Sequence, residues 1–297
     1  MLDSFLGNER LKRELTHLLK SDRMPHAVVI QAEEGEGGGF LSRLIAAAYL
    51  KDDNGLVERG IHPDCIVVEG SGASGMISIQ TVREILYEAN KAAVMSDGRR
   101  VVLIRRAENL NASSSNALLK MLEEPPEGVL FLMTVRRTDD LLPTILSRVA
   151  VYRCQSLSKE LCVQALLDRV SGCDRQRADE VAELFDGRLG LALRALSDPD
   201  YAGYSALGKS FCEAAVAGSL FDVLRDLSEA TDRSSSKMLL QAAVIRLRRM
   251  VRSGNGDVTR LSFVLDEVTE AYNEITNNAN LKLVQTRLAY RLAAKEE

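Results

Sequence analysis

The first half of the chain alternates between short apolar runs and longer stretches with helical periodicity. Five runs rich in β-branched residues are apolar throughout: Ala27–Ile30, Cys65–Val68, Val101–Ile104, Val129–Val135 and the weaker Ala150–Tyr152. Three helical patterns separate them: Phe40–Leu50, Ser78–Lys91 and Asn111–Leu122. Runs without polar alternation are typical of strands buried on both faces of a parallel sheet. The alternation therefore predicts an α/β domain with helices on both faces of the sheet, ending near Cys154.

The second half of the chain is predicted to be helical, with no strand after Ser158. Turn signals at Asp186-Gly187 and Asp198-Pro199 interrupt the helical pattern. We predict three domains, which are the α/β domain over residues 1–155, a small helical domain over residues 156–198 and a helical bundle over residues 199–297. The short serine run Ser234–Ser236 is predicted to be a loop between helices.

Composition and charge narrow the function classes. The net charge is −4, whereas a protein that binds DNA by itself usually carries a basic surface, so any nucleic-acid role is predicted to be shared with partners. The five cysteines form no C-x-x-C pair, which predicts neither a zinc site nor a disulfide framework. No apolar run approaches the roughly 20 residues that span a bilayer, and the N-terminus is not of the signal-peptide type. We predict a cytoplasmic protein without membrane partners.

A strand, a glycine-rich turn and a helix follow one another over Ala27–Leu50. The turn aligns with the phosphate-binding pattern G-x-x-x-x-G-K-[ST], in which backbone N–H groups wrap the phosphates. Ala32 and Gly37 take the two glycine positions. Gly38 then stands where Lys would neutralise phosphate charge, and Gly39 stands where Ser or Thr would hold Mg²⁺. On this turn alone, a flexible strand-to-helix loop is the better interpretation.

Charge also opposes nucleotide chemistry at this end of the predicted sheet. The segment Glu33–Glu36 places three carboxylates around Gly35, where a polyphosphate would lie. After the strand Val101–Ile104, an ATPase of this class places Asp-Glu to hold Mg²⁺. This chain has Arg105 and Arg106 there, and two cations repel a dication. The degenerate phosphate loop and the degenerate Mg²⁺ site together predict a chain that binds no cofactor or metal and does not hydrolyse ATP.

Two longer motifs carry a family resemblance. Residues Asn116–Pro126 are NALLKMLEEPP, and residues Leu141–Arg148 are LLPTILSR. Both resemble the clamp-loader branch of the AAA+ ATPases, whose members carry N-A-L-L-K-x-L-E-E-P-P and L-L-P-T-I-x-S-R-C at these places. Shorter matches occur at Pro25–Ala27, His62–Asp64 and Asn278–Leu283. The resemblance covers essentially the whole chain and implies an AAA+ domain, then a helical lid domain, then an all-α collar domain.

Within this family the chain resembles the delta-prime branch, whose members are commonly impaired in ATP use. The resemblance implies a non-hydrolysing subunit of the bacterial DNA polymerase III clamp loader, which helps to load the sliding clamp onto primed DNA. Its implied partners are the gamma/tau and delta subunits, with the sliding clamp and primer–template DNA reached through the complex. The chain departs from the family at Val149, which replaces the Cys of Ser-Arg-Cys, and at Arg136 and Gly190, which replace nucleotide-sensing residues. The zinc-binding cysteine cluster of many relatives is absent from the sequence.

The Ser-Arg-Cys motif implies a role toward a neighbouring subunit. In the family its Arg is an arginine finger, so Arg148 would stabilise charge on the γ-phosphate of an adjacent gamma/tau subunit, and Ser147 would position the motif. From residue type alone, Arg148 is a surface arginine in a turn. Two alternative functions stay open. One is a P-loop NTPase with a non-standard site, in which Arg43, Arg105 or Arg106 replaces the missing Lys. The other is a free-standing AAA+-derived scaffold.

Overall fold

The computed structural model describes residues 2–70, 75–254 and 256–294. The chain forms two compact units. The first comprises Met1–Cys162 with Gly187–Gly190, and the second comprises Val163–Asp186 with Leu191–Glu297. The three-domain division that the sequence suggests, with boundaries at 155/156 and 198/199, stays a prediction.

The first unit is built on a parallel five-stranded sheet. Its strands are β1 (Ala27–Gln31), β2 (Cys65–Val68), β3 (Arg100–Ile104), β4 (Val129–Val135) and β5 (Ala150–Arg153). They lie in the order β2-β3-β4-β1-β5, and all neighbouring pairs are parallel. All five predicted strands are confirmed, because only nearly continuous apolar runs suit strands that are covered on both faces.

Helices cover both faces of this sheet, as predicted. They are α1 (Glu9–Lys20), α2 (Gly38–Leu50), α3 (Ile79–Ala89), α4 (Ala112–Glu123) and α5 (Pro143–Leu146). Because side chains alternate along a strand, Val28 and Ile30 face one core together with Leu15 of α1 and Leu41 of α2. Side chains of the opposite parity pack against α3 and α4 in a second core. Each fully buried Leu or Ile stabilises the fold by about 1.5–3 kcal/mol.

Capping side chains determine where α3 and α4 begin. Asn111 is the N-cap of α4, and its side-chain oxygen accepts the N–H of Ser114 at 2.8 Å. Ser78 caps α3 in the same way, with its hydroxyl accepting the N–H of Thr81 at 3.0 Å. Each cap satisfies a donor that the first helical turn leaves unpaired, and contributes about 1 kcal/mol.

The regular secondary structure of the second unit, over its described residues, is entirely α-helical. Its helices are α6 (Lys159–Arg169), which begins in the first unit, α7 (Arg175–Leu184), α8 (Leu189–Ser197), which also begins there, α9 (Pro199–Ala217), α10 (Leu220–Ser228), α11 (Arg233–Ser253), α12 (Val258–Thr276) and α13 (Leu281–Ala293). One apolar core joins α9 to α13. None of the helices in the part of the chain that the structure describes is long and apolar enough to cross a membrane.

The predicted loop at Ser234–Ser236 is wrong, since these serines form the first turn of α11. Asp232 is the N-cap, and its carboxylate accepts the N–H of Ser235 at 2.9 Å, while the Ser235 hydroxyl accepts the N–H of Asp232 at 3.1 Å. The buried Ser236 donates its hydroxyl proton to the carbonyl of Ala230 at 3.0 Å. Serine hydroxyls in a first helical turn thus satisfy backbone groups and start the helix.

Candidate functional site

The glycine-rich loop keeps the strand–turn–helix geometry of a phosphate loop. It follows β1 at the carboxyl edge of the sheet and leads into α2. Gly35 and Gly37 both have φ of +89°, a conformation that glycine adopts without steric cost. The first N–H groups of α2 lack intrahelical partners and would favour an anion. The backbone therefore retains the shape of the site.

A side-chain methyl group closes the position from which the lysine would emerge. A Cβ atom added to Gly38 would lie 2.5 Å from the Cβ of Ala32, whereas carbon atoms in contact are about 3.5–4.0 Å apart. A Cβ on Gly39 would meet no atom within 4 Å. The two departures from the motif are thus coupled, because the Ala32 methyl group occupies the space that a side chain at residue 38 would need.

The carboxylates of the loop bind groups of the protein itself. The Glu36 carboxylate accepts the backbone N–H of Glu33 at 2.7 Å. The carboxylate of Glu33 pairs with Arg188 at 2.7 Å, and that of Glu34 lies 3.6 Å from Arg136. In a phosphate loop, such N–H groups and cations would face the phosphates. Here internal anions occupy them, and a triphosphate would have to displace three carboxylates.

The end of β3 carries cations where a Mg²⁺ site needs anions. Arg105 forms an ion pair with Glu69. Arg106 has φ of +55°, and its guanidinium, like that of Arg136, lies 3.8 Å from the carboxylate of Glu108. Among the described residues no three His, Cys, Asp or Glu side chains are placed to hold a metal ion. The residues of the loop and of this strand end do not fit a Mg²⁺-bound triphosphate.

Arg136 and Gly190, which stand where the family resemblance leads us to expect nucleotide-sensing residues, both contact the glycine-rich loop. The backbone N–H of Gly190 donates to the carbonyl of Gly35 at 2.9 Å, and a Cβ on Gly190 would lie 3.0 Å from the Cα of Gly35. An arginine at residue 190 would therefore crowd the loop backbone. Sequence reasoning missed Arg188, which is nearly buried against Glu33. The only signal for Arg188 in the sequence was its position two residues before Gly190.

Ser147 and Arg148 form a second cluster with Glu123. The Arg148 guanidinium lies 2.8 Å from the Glu123 carboxylate and donates to the Ser147 hydroxyl and to the carbonyl of Thr144, both at 2.9 Å. The Ser147 hydroxyl donates to the same Thr144 carbonyl at 3.0 Å. The two family motifs therefore meet at this ion pair. The pairing of Glu123 with Arg148 was not predicted from the sequence.

The glycine-rich loop and the Ser147–Arg148 cluster lie at opposite ends of the parallel strands. The loop follows the carboxyl end of β1, whereas Arg148 precedes the amino end of β5, which pairs with β1 in parallel. A five-residue strand is about 16 Å long. Arg148 therefore does not face the glycine-rich loop of its own chain, and its guanidinium, about one third exposed, is presented at the surface of the first unit.

Comparison with known proteins identifies relatives in one family. The family described as DNA polymerase III, delta subunit, matches residues 7–158. The delta' subunit of Pseudomonas aeruginosa is 38% identical over 99 residues, which are 33% of this chain and 30% of that protein. The Escherichia coli delta' subunit is 30% identical over 145 residues, which are 45% and 43%. The gamma subunit of Buchnera aphidicola is 29% identical over 168 residues, which are 52% and 45%. The matches thus span less than half the length of these relatives.

A solved structure shares the fold over nearly the whole chain. A DNA polymerase III gamma subunit-related protein of Thermotoga maritima has a TM-score of 0.56 at 19% identity, and the alignment covers 94% of this chain and 98% of that one. At this identity the likeness concerns the fold alone. It confirms the predicted architecture, in which an AAA+ α/β domain is followed by helices.

Proposed function

The chain belongs to the DNA polymerase III delta-subunit family, as a clamp-loader subunit of the delta-prime type, and from this membership we propose that it helps to load the sliding clamp onto primed DNA. In this role it acts in the cytoplasm beside the gamma/tau and delta subunits. It reaches the clamp and the primer–template DNA through the complex. The net charge of −4 supports shared rather than independent DNA contact.

The chain contributes no ATP hydrolysis of its own in this proposal. The geometry of the glycine-rich loop carries this part of the proposal. The Ala32 methyl group fills the space that a side chain at residue 38 would need. The loop carboxylates bind the neighbouring guanidinium groups and the one backbone N–H that a phosphate would need. An NTPase with a non-standard site would need a substitute cation. Two candidates, Arg105 and Arg106, lie beside Glu69 and Glu108, so each would have to leave a carboxylate of its own chain to take over the role of the missing lysine.

Arg148 acts in trans in this proposal, on the ATP of a neighbouring gamma/tau subunit. Arg148 lies at the amino ends of the strands, away from the glycine-rich loop at their carboxyl ends, and this position supports action on another chain. Ser147 and Glu123 hold the guanidinium in one orientation, which lowers the entropy lost when it meets a phosphate. An arginine finger stabilises the charge that develops on the transferred phosphoryl group.

Reconstitution with gamma/tau, delta and the sliding clamp tests both parts of the proposal. We expect Arg148→Ala to join the complex but to slow hydrolysis at the ATP site facing it by about 10³-fold or more. Ser147→Ala should slow it by about tenfold, the equivalent of one hydrogen bond. The control is Arg83→Ala, which removes an exposed arginine on α3 and should change neither rate nor assembly. If the complex that contains Arg148→Ala hydrolyses ATP and loads the clamp at the wild-type rates, the proposed arginine-finger role of Arg148 is refuted.

A further inference from the structure

The glycine-rich loop is fastened to a distant segment of its own unit by two contacts. The segment Gly187–Gly190 belongs to the first unit, as the loop does, although it lies far along the chain. The carboxylate of Glu33 pairs with Arg188 at 2.7 Å, and the backbone N–H of Gly190 donates to the carbonyl of Gly35 at 2.9 Å. The Arg188 side chain is only 13% exposed, so salt screens this ion pair little. The loop and the segment are therefore joined by groups of the protein itself.

The segment is also held from its other side. The backbone N–H of Leu157 donates to the carbonyl of Gly187 at 3.0 Å. A Cβ atom on Gly187 would lie 1.9 Å from the carbonyl oxygen of Leu157, so only glycine permits this close approach of the two backbones. Arg188 therefore lies on a stretch of backbone that is fixed at both ends, at Leu157 and at Gly35.

A second guanidinium meets a second carboxylate of the loop. Arg136 follows β4 directly and lies 3.6 Å from the carboxylate of Glu34 and 3.8 Å from that of Glu108. Both carboxylate oxygens of Glu108 are buried and accept no hydrogen bond, so Glu108 contributes charge rather than a directed bond. Arg136 is therefore held by the charges of two acids, of which one belongs to the loop.

Carboxylates and phosphates are recognised by the same groups. Guanidinium groups bind both kinds of oxyanion through charge-assisted hydrogen bonds, and the free N–H groups at the start of a helix favour either. The Glu36 carboxylate accepts the N–H of Glu33, so the acids of the loop occupy two cations and one N–H group. We propose that the glycine-rich loop is a polyphosphate site that is closed by its own carboxylates. Glu33 and Glu34 are internal ligands of the two guanidinium groups, and neutralising both acids opens the site to an external polyphosphate.

In this proposal, two separate losses remove nucleotide chemistry from the chain. The missing lysine and the missing Asp-Glu pair remove phosphate neutralisation and Mg²⁺, whereas the loop carboxylates remove anion binding. The second loss is a property of the first unit alone and does not depend on membership of a clamp loader. It shares one expectation with the proposed function, which is that the wild-type chain binds no triphosphate.

Removal of the two charges should produce a gain of binding. The full chain is titrated with tripolyphosphate by calorimetry, at about 0.15 M salt and without Mg²⁺. Wild type should show no saturation up to about 10 mM, whereas Glu33→Gln/Glu34→Gln should bind with a dissociation constant of about 1 mM or below, a gain of at least about tenfold. The matched control is Glu84→Gln/Glu160→Gln, which neutralises two exposed acids of the first unit and should stay inert. Adding Arg188→Ala to the first double variant should abolish the gain.

The outcomes separate this proposal from the proposed function. A Glu33→Gln/Glu34→Gln chain that keeps the wild-type circular dichroism spectrum but binds no more tripolyphosphate than wild type would overturn the closed polyphosphate site alone. An equal gain in the control variant would also overturn it, because binding would then follow net charge. Saturable binding of tripolyphosphate by the wild-type chain at micromolar concentration would contradict both proposals.

Hydrogen exchange of the Gly190 amide gives a second measurement, which includes the wild-type chain. Its N–H should be protected in the chain alone, and Glu33→Gln should raise its exchange rate by at least about threefold, because the segment then loses its ion pair with the loop. Glu84→Gln should leave the rate unchanged. A wild-type Gly190 amide that exchanges as fast as one in an unstructured peptide, or that exchanges no faster in Glu33→Gln, would overturn the proposal.

Discussion

The steric coupling between Ala32 and Gly38 makes a quantitative prediction. Gly38→Ala adds only a Cβ atom, which would lie 2.5 Å from the Ala32 Cβ, at least about 1 Å inside normal carbon contact. Residue 38 is buried at the start of α2, so the loop has to shift. Overpacking of this kind destabilises by about 1–3 kcal/mol. For a unit of this size, 2 kcal/mol lowers the thermal midpoint by about 4–8 °C.

A double-mutant cycle isolates this contact from the general cost of replacing glycine. Thermal unfolding of the full chain, followed by circular dichroism, should show that Ala32→Gly/Gly38→Ala recovers at least about 1 kcal/mol of the loss caused by Gly38→Ala. Gly39→Ala is the matched control. Its added methyl group meets open space, and removing glycine there should be neutral or stabilise by up to about 1 kcal/mol. Equal destabilisation at residues 38 and 39, or no recovery in the double variant, would refute the steric account.

Two further predictions concern buried polar groups. Burial opposes the charge of Asp64, but its carboxylate accepts the N–H groups of residues 94–96, which lower its pKa. The carboxylate also lies 3.6 Å from the buried guanidinium of Arg100, so Asp64→Asn, which leaves that cation without its carboxylate, should cost about 3 kcal/mol at pH 7. Because the folded pKa is depressed, this stabilisation is present above the unfolded value of about 3.9 and lost as pH falls through the folded value. Acid titration of thermal midpoints checks both, and an unchanged midpoint in Asp64→Asn would contradict them. Burial raises the pKa of Cys154 and Cys212 to about 12, so both thiols stay protonated and unreactive at pH 8. Iodoacetamide at that pH should therefore modify the partly exposed Cys173 before either of them. Mass spectrometry of the native chain measures the order of modification, and equal modification of all three cysteines would contradict the prediction.

The strands were predictable from the sequence because their burial is a local property. A strand covered on both faces has to be apolar along its whole length, and the five apolar runs coincide with β1–β5 to within one residue at each end. The two edge strands are the weakest cases, since Val67 of β2 is 40% exposed and Val151 of β5 is 37% exposed although both belong to such runs. Edge and central strands share one pattern, so the sheet order had to come from the structure.

Helix boundaries were harder to predict where one residue type serves two purposes. Serine occurs in loops and also caps helices, and the capping partner of Ser235 is visible only in the folded turn. The break between α9 and α10 was not predicted. It depends on Gly218, with φ of +73°, and on Ser219, the N-cap of α10. A single glycine inside an apolar helical stretch is a weak signal.

The composition of the glycine-rich loop was predictable, but its pairing was not. The motif identified the missing lysine and the excess carboxylates. It did not identify their partners, because Arg188 lies about 155 residues from Glu33 in the chain and reaches it only through the folded first unit. The pairing of Arg148 with Glu123 joins two motifs in the same manner. Long-range ion pairs depend on topology, which periodicity does not encode.

Direct nucleotide binding tests the central claim, that this loop retains the backbone of a phosphate site without its chemistry. The purified chain is titrated with a fluorescent ATP analogue and Mg²⁺, with an active gamma/tau subunit as the positive control. The account predicts no saturable binding up to about 1 mM, a concentration that would reveal even about −4 kcal/mol of binding free energy. Stoichiometric binding at micromolar concentration, or ATP turnover by the chain alone, would contradict it.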